Sequence, residues 1–259
     1  MTSLIRFCGL VLLFLMTSVA QAEDIFEDDD YKLEPLLTDK SFDLAAELGA
    51  LITTGNNEST SLLWKIHAKH ELEKWRVKYS FESLFKRDEV SGDEGKHTKT
   101  SAEKYLFNAE ANYEFSKNES IFAFVGSDHD RFGAFRSVTS AVAGYNFRAI
   151  DGSLVTWDLN VAPGYTFIEN SEGESDSAPV LRGSSSLNWT VSSHAKLTQN
   201  LSVESSNLNT RVIGEAAVIA KIHGSMLMKV GFKATFNDDV DEGQEHTDTQ
   251  TSVTLVVHF

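Results

Sequence analysis

From Phe42 to the end of the chain, apolar side chains return at every second residue, and that period commits the chain to β-strands. Phe42, Leu44, Ala46, Leu48, Ala50 and Ile52 share one parity, against Asp43, Glu47 and Gly49 on the other. Leu62, Trp64, Ile66 and Ala68 stand against Lys65, His67 and Lys69, and Trp75, Val77, Tyr79, Phe81 and Phe85 against Arg76, Lys78 and Glu82. The alternation continues with Tyr105, Phe107, Ala109, Ala111, Tyr113 and Phe115, opposite Lys104, Asn108 and Glu110. Further strands are read around Phe122 and over residues 135–147, 155–167, 180–191, 197–203, 212–222, 226–236 and 249–259, which makes about twelve in all. Strands with one apolar and one polar face must set those faces against different media.

The connections and the aromatics indicate which medium lies where. Short connections at residues 71–74, 116–120, 148–152, 192–195 and 223–225 alternate with longer polar ones at 87–100, 168–179, 205–210 and 237–246. Such a chain has one short-turn end and one long-loop end, the layout of bacterial outer-membrane barrels, and an even strand count returns both termini to the periplasmic side. On the apolar parity, aromatics recur ten residues apart: Trp75 and Phe85, Tyr105 and Phe115, Phe135 and Tyr145, Trp157 and Phe167. Ten residues at ~3.3 Å each, tilted by roughly 40°, rise about 25 Å, the height of a lipid-facing band between its aromatic girdles. Trp75, Phe115, Phe147, Trp157 and Trp189 fall near short turns; Phe85, Phe135, Phe167 and Phe236 fall near long loops. A water-soluble up-and-down barrel turns its apolar face inward and has no cause to gather aromatics at two heights. The sequence therefore predicts an all-β fold, a transmembrane antiparallel up-and-down barrel of about twelve strands in the outer membrane of a Gram-negative bacterium.

Ahead of the barrel, residues 1–22 read as a secretory signal: Arg6, an apolar run over residues 8–16, and the small-residue pattern Ala20-Gln21-Ala22 before the cut at Glu23. Residues 23–41, opening with the acidic run EDIFEDDD, read as a disordered periplasmic leader, and residues 42–259 as the barrel. Cleavage removes Cys8, the only cysteine, so stability cannot rest on crosslinks. The formal charge is −15, and loss of Arg6 leaves 22 basic against 38 acidic residues. That balance excludes nucleic acid as a partner, because neutralising phosphates requires clustered Lys and Arg. The expected partners are outer-membrane lipid and the barrel-assembly machinery, with the protein a monomer that carries no cofactor and no metal.

The stretches SDHDRFGAFRSVTSAVAGYNF (residues 127–147), LNVAPGYTF (159–167) and ITTGNNEST (52–60) resemble the domain-of-unknown-function 481 family, often called salt-induced outer-membrane proteins. Thr54, Gly55, Asn56, Asp130, Arg131, Phe132, Gly133, Arg136, Gly144, Tyr145, Pro163, Gly164 and Tyr165 fit the family pattern, and Ala162 stands where Gly is common. The resemblance covers nearly all of the chain after the acidic leader. It implies an outer-membrane location, but no reaction or ligand. The final strand, TQTSVTLVVHF, ends on Phe259, which resembles the C-terminal signal read by the assembly machinery; the simpler reading is a girdle anchor.

Few residues invite a chemical reading. In Asp128-His129-Asp130 the histidine faces away from both carboxylates if the segment is a strand, and a turn braced by Asp130 with Arg131 or Arg136 is expected in place of a metal site. His67 and His70 point to opposite faces of their strand, with His70 at the periplasmic interface. Ser140 and Ser185 are nucleophiles by residue type only, with no His at a matching depth. Pro163 marks an expected bulge. The inward parity is what remains for function, with Lys65, Lys78, Glu82, Glu110, Arg136, Asp158, Arg182, Glu215 and Lys221 as candidate lumen-lining residues. The expected function is a narrow passive channel for small polar solutes or ions, linked to salt or osmotic stress through the family resemblance, and no enzymatic activity is expected. Two alternatives stand beside it: a non-transporting structural or interaction barrel with a plugged lumen, and a lipid-acting enzyme.

Overall fold

The computed structural model describes residues 42–54, 59–92, 95–240 and 243–258. Twelve strands run in chain order: β1 (Phe42–Thr54), β2 (Ser59–Leu72), β3 (Trp75–Gly92), β4 (Gly95–Ser116), β5 (Glu119–Asp130), β6 (Ser137–Asp151), β7 (Val155–Glu169), β8 (Ser175–Ser192), β9 (Ala195–Ser206), β10 (Thr210–His223), β11 (Met226–Asn237) and β12 (Thr247–His258). Each pairs antiparallel with its sequence neighbours, and β1 pairs with β12, so the sheet closes and leaves no edge. Closure places Leu48 beside Leu255 and Ala50 beside Val253. Phe259, Gly55, Asn56, the expected signal and the leader lie outside the described residues.

The parity read from sequence is the parity of the barrel wall. Leu48, Leu62, Ile66, Trp75, Tyr79, Phe85, Phe107, Phe115, Val125, Phe147, Val161, Phe167, Leu181, Val218, Phe232 and Val253 face outward and are exposed. Their inward neighbours Glu47, Lys65, Glu82, Asn112, Asp128, Thr166 and Thr254 are buried. The exposed apolar area on the outer wall is on the order of 2,000 Å², several times the roughly 300–600 Å² that a soluble monomer ordinarily tolerates in its largest patch. No helix among the described residues is long and apolar enough to cross a membrane; the strands cross it instead, which satisfies every backbone group of the wall by pairing.

Several boundaries differ from the expectation, and for one reason. The 87–100 segment is not a loop: β3 and β4 continue as a paired hairpin to Gly92 and Gly95. Likewise β7 and β8 extend until only residues 170–174 connect them, and the β9–β10 connection shrinks to 207–209. Beyond the lipid, both faces of a strand meet water, so the sequence there loses its period of two. Pro163 makes no bulge. The β6–β7 pairing passes it in unbroken register, from Val142 opposite Gly164 to Tyr145 opposite Val161, and the bulge in that pair falls at Arg148/Ile150.

The close approach of β6 and β7 explains two glycines of the family pattern. A Cβ on Gly144 would lie 2.1 Å from the Val161 carbonyl oxygen, and one on Gly164 would lie 2.1 Å from the Ala141 carbonyl oxygen. Only residues without a Cβ fit there.

Candidate functional site

The candidate site is the lumen, because the outer wall is lipid-facing and the inner wall collects the polar groups. Its central cavity, about 620 Å³, is lined by both charge signs and by amides and hydroxyls, among them Glu47, Glu110, Arg182, Glu204 and Lys229. Toward the short-turn end it adjoins a cavity of about 270 Å³, lined by Arg76, Lys78, Arg148, Asp158 and Asn160, which shares Lys78, Glu110 and Arg182 with it. Toward the long loops it adjoins a space of only about 60 Å³, bounded by Lys104, Asp130, Gly133, Ala134 and Phe135. Asp128, Val138, Arg211 and Lys233 line both the central and the small outer cavity, and so mark the neck between them.

A salt bridge crosses this neck. Arg211 on β10 donates through Nη2 to Asp128 Oδ2 on β5, five strands away around a ring of twelve and therefore nearly opposite. Asp128 also lies 3.4 Å from Lys104 Nζ, which in turn reaches Asp130 at 3.2 Å. A second tie spans β6 and β9, where the Ser140 hydroxyl sits 3.0 Å from the Glu204 carboxylate and 3.2 Å from the Thr166 hydroxyl. Arg182 pairs with Glu204 at 3.2 Å and lies over the Phe124 ring at 4.1 Å. Each of these buried charges meets a partner, which offsets the large desolvation cost of leaving an ion alone in a low-dielectric interior.

The candidate lumen residues separate in the structure. Lys65 and Glu82 form a buried pair at 2.8 Å on β2 and β3. Lys78 reaches Glu110 at 3.1 Å, and Glu110 also accepts from the Asn112 amide at 2.8 Å. Glu215 shares Lys229 with Glu47, each at 3.4 Å. Asp158 is held by Arg148 through two bonds, 2.8 and 3.3 Å, at the short-turn end. Lys221 keeps the inward parity near the last turn of β10 but is not among the residues lining these cavities. Arg136 is a correction: it lies in the β5–β6 connection, half exposed, 3.6 Å from Glu169, with its backbone N–H donating to the Glu169 carbonyl.

Phe135 is a second correction. It belongs to the β5–β6 connection and lines the small outer cavity, not the lipid-facing girdle. The motif around it is a turn: Asp130 accepts from the Phe132 N–H at 3.1 Å, Arg131 pairs with Glu103 at 3.1 Å, and a Cβ on Gly133 would meet the Asp130 carboxylate at 2.9 Å. Asp130 therefore braces the turn with Arg136 through the backbone, its N–H donating to the Arg136 carbonyl at 3.0 Å. Its carboxylate takes the Phe132 N–H and Lys104, and both arginine side chains pair elsewhere. His129 faces outward beside Tyr105, ring centroids 6.5 Å apart, away from both aspartates. His67 faces the lumen within 3.3 Å of Glu47, and His70 faces outward against Phe42 near the short-turn end. Among the described residues no group of His, Cys, Asp and Glu has the arrangement of a metal site.

Sequence reasoning missed three features. Arg211 sits one residue before the segment read as a strand, although extending the alternation from Ile213 would have turned it inward. Asp128 is absent from the candidate lumen residues because its segment reads equally as strand or turn, and the structure places it on β5. Phe122 and Phe124 point into the lumen, where Phe122 packs with Val142, Ala162 and Val180; β5 is apolar on both faces, Ile121 to Val125, so its sequence does not say which face is which.

The chain is similar to known proteins at two levels. In sequence it is 23% identical over 250 residues to the uncharacterized protein YdiY of Escherichia coli (strain K12), covering 94% of this chain and 92% of that one. In structure it resembles the NanC porin, with a TM-score of 0.53 at 7% identity over 82% of this chain and 98% of that one. It also resembles the COG4313 outer membrane channel from Pseudomonas putida F1, with a TM-score of 0.50 at 12% identity over 90% and 100% of the two chains. At such identities the likeness establishes the shared fold, an outer-membrane barrel, in agreement with the lipid-facing wall. The family described as "Protein of unknown function, DUF481" matches residues 46–259, and the chain, an integral outer-membrane β-barrel, belongs to it.

Proposed function

We propose that this protein is a narrow passive channel for small polar solutes or ions. The observation that supports this reading is the lumen: a polar cavity of about 620 Å³ adjoining a second of about 270 Å³, narrowed at one level by the Asp128–Arg211 bridge. Side chains fill a barrel of about eight strands and sixteen or more leave an aqueous channel; twelve falls between, and here the wall encloses these two cavities. The proposal assigns no reaction and no cofactor. Ser140 is tied to Glu204 and Thr166, and Ser185 accepts from the Trp157 indole N–H at 2.8 Å, so neither is paired with a histidine base. Assembly through the last strand, a monomeric state, a cleaved signal and a link to salt stress are part of this reading.

A plugged barrel is the competing reading, and the same cross-lumen bridge favours it. Conductance in planar bilayers separates the two. The protein should give discrete steps, and the double variant Asp128→Ala/Arg211→Ala, which removes both charges together, should raise the step size about two-fold or more by clearing the neck. Silence from both proteins would sink the channel and leave the plugged barrel.

A further inference from the structure

We infer that the lumen takes small uncharged polyhydroxylated solutes, such as polyols and monosaccharides, along a row of amides and hydroxyls on β5 to β9. The inference rests on the channel reading above and names its solute class. Strand register builds the row. Ser120 pairs with Asn146, Asn146 with Asn160, Asn160 with Ser184 and Ser184 with Ser202, so five neutral polar residues stand side by side on five consecutive strands. All hold the inward parity, and the last four line the cavity of about 270 Å³ at the short-turn end. One step nearer the turns, Ser186 on β8 donates to Asn200 on β9 at 2.8 Å, and Asn200 and Ser202 line the central cavity as well. The row therefore spans the passage from one cavity to the other.

An amide carries two donors and an acceptor oxygen with two lone pairs, and a hydroxyl both donates and accepts. Asn146 donates to Ser120 Oγ at 3.3 Å and Asn200 accepts from Ser186, which uses part of each amide's capacity, and Asn160 Oδ1 is buried with no hydrogen-bond partner. The row thus offers donors and acceptors together and carries no charge. A sugar hydroxyl, itself donor and acceptor, completes that pattern. The charges of the lumen, by contrast, are matched. With His67 neutral, six cationic and six anionic side chains line the central cavity, and Lys104, Arg211 and Lys233 meet Asp128, Asp130 and Asp248 around the outer space. An ion of either sign gives up hydration in such a lumen and finds no net countercharge. A neutral polyol gives up only hydrogen bonds to water, and the row returns them. The central cavity, about 620 Å³, falls within the roughly 300–1,000 Å³ of small-molecule sites. Beyond the neck the space is only about 60 Å³, so short polyols pass and longer ones, entering from the short-turn end, lodge at the row.

The test is blockade of the KCl current through the full-length mature barrel in planar bilayers by added sorbitol. Sorbitol should lower the current saturably. Triethylene glycol dimethyl ether, which has the same number of heavy atoms but no donor, should lower it only as far as it raises the viscosity of the bath. Asn160→Ala and Ser202→Ala should each raise the half-blocking sorbitol concentration about two- to tenfold, the loss of one neutral hydrogen bond. Lys117→Gln removes a charge from a short turn outside the lumen and should leave that concentration unchanged. Folding of each variant is checked by its heat-dependent electrophoretic mobility, and either of the two row variants suffices if the other fails to fold. Parent steps that sorbitol and the ether lower alike, or a folded row variant blocked at the parent's concentration, would overturn this assignment and leave the channel reading intact. No steps from the parent or from Asp128→Ala/Arg211→Ala would overturn both.

Discussion

Replacing either Gly144 or Gly164 with alanine is expected to cost the barrel about 3 kcal/mol or more, enough to reduce the folded fraction sharply on refolding into lipid vesicles. Ordinarily a glycine-to-alanine change in extended backbone stabilises by about 0.4–1 kcal/mol, because the unfolded chain loses freedom. The sign reverses here because the new methyl at either site lands 2.1 Å from a carbonyl oxygen of the neighbouring strand. Backbone cannot swing aside as a side chain can, so β6 and β7 would have to separate. Gly183 and Gly214 provide the comparison: a Cβ there meets nothing nearer than 3.8 Å. Urea titration in vesicles should find Gly183→Ala and Gly214→Ala at or above the parent's stability. Equal behaviour of all four variants would refute the close-approach account.

An arginine introduced on the outer wall is expected to be nearly as damaging. Val125 lies in the middle of β5, paired with Ala109 on one side and Ala141 on the other, and is 44% exposed. Exposed valine in a soluble protein tolerates such a change within about 0.5 kcal/mol. At the midplane of a bilayer the same substitution costs roughly 2–4 kcal/mol, and less toward either interface. Val125→Arg should therefore fall well below the parent in vesicles, and Tyr145→Arg, whose hydroxyl bonds Glu119 near the short-turn end, should cost distinctly less. A Val125→Arg protein as stable as the parent would place that wall in water and remove the membrane reading altogether.

The depth of these two effects follows from features that differ in how far the chain announces them. The outward parity of β1 to β4 is written in residues such as Trp75, Tyr79, Tyr105 and Phe107, because lipid and lumen impose opposite demands on alternate positions. The same logic fails on β5, where Phe122 and Phe124 fill the lumen as apolar groups and Arg182 lies over one of them. It also fails above the membrane, where Phe135 and Arg136 sit in a folded connection and the alternation no longer sorts inside from outside. The glycines of the family pattern could be recognised, but the contact that requires them belongs to the packing of two strands and not to either strand alone.

By itself the sequence determined that this protein is a β-barrel wall of about twelve strands with its apolar parity toward lipid, since a period of two acts between neighbouring residues and needs no knowledge of the far side. Only the tertiary structure decided what crosses the lumen. Asp128 and Arg211 are 83 residues apart and meet because the ring closes at a particular circumference. Which charges pair depends on distances across that ring, and no local pattern along the chain encodes them.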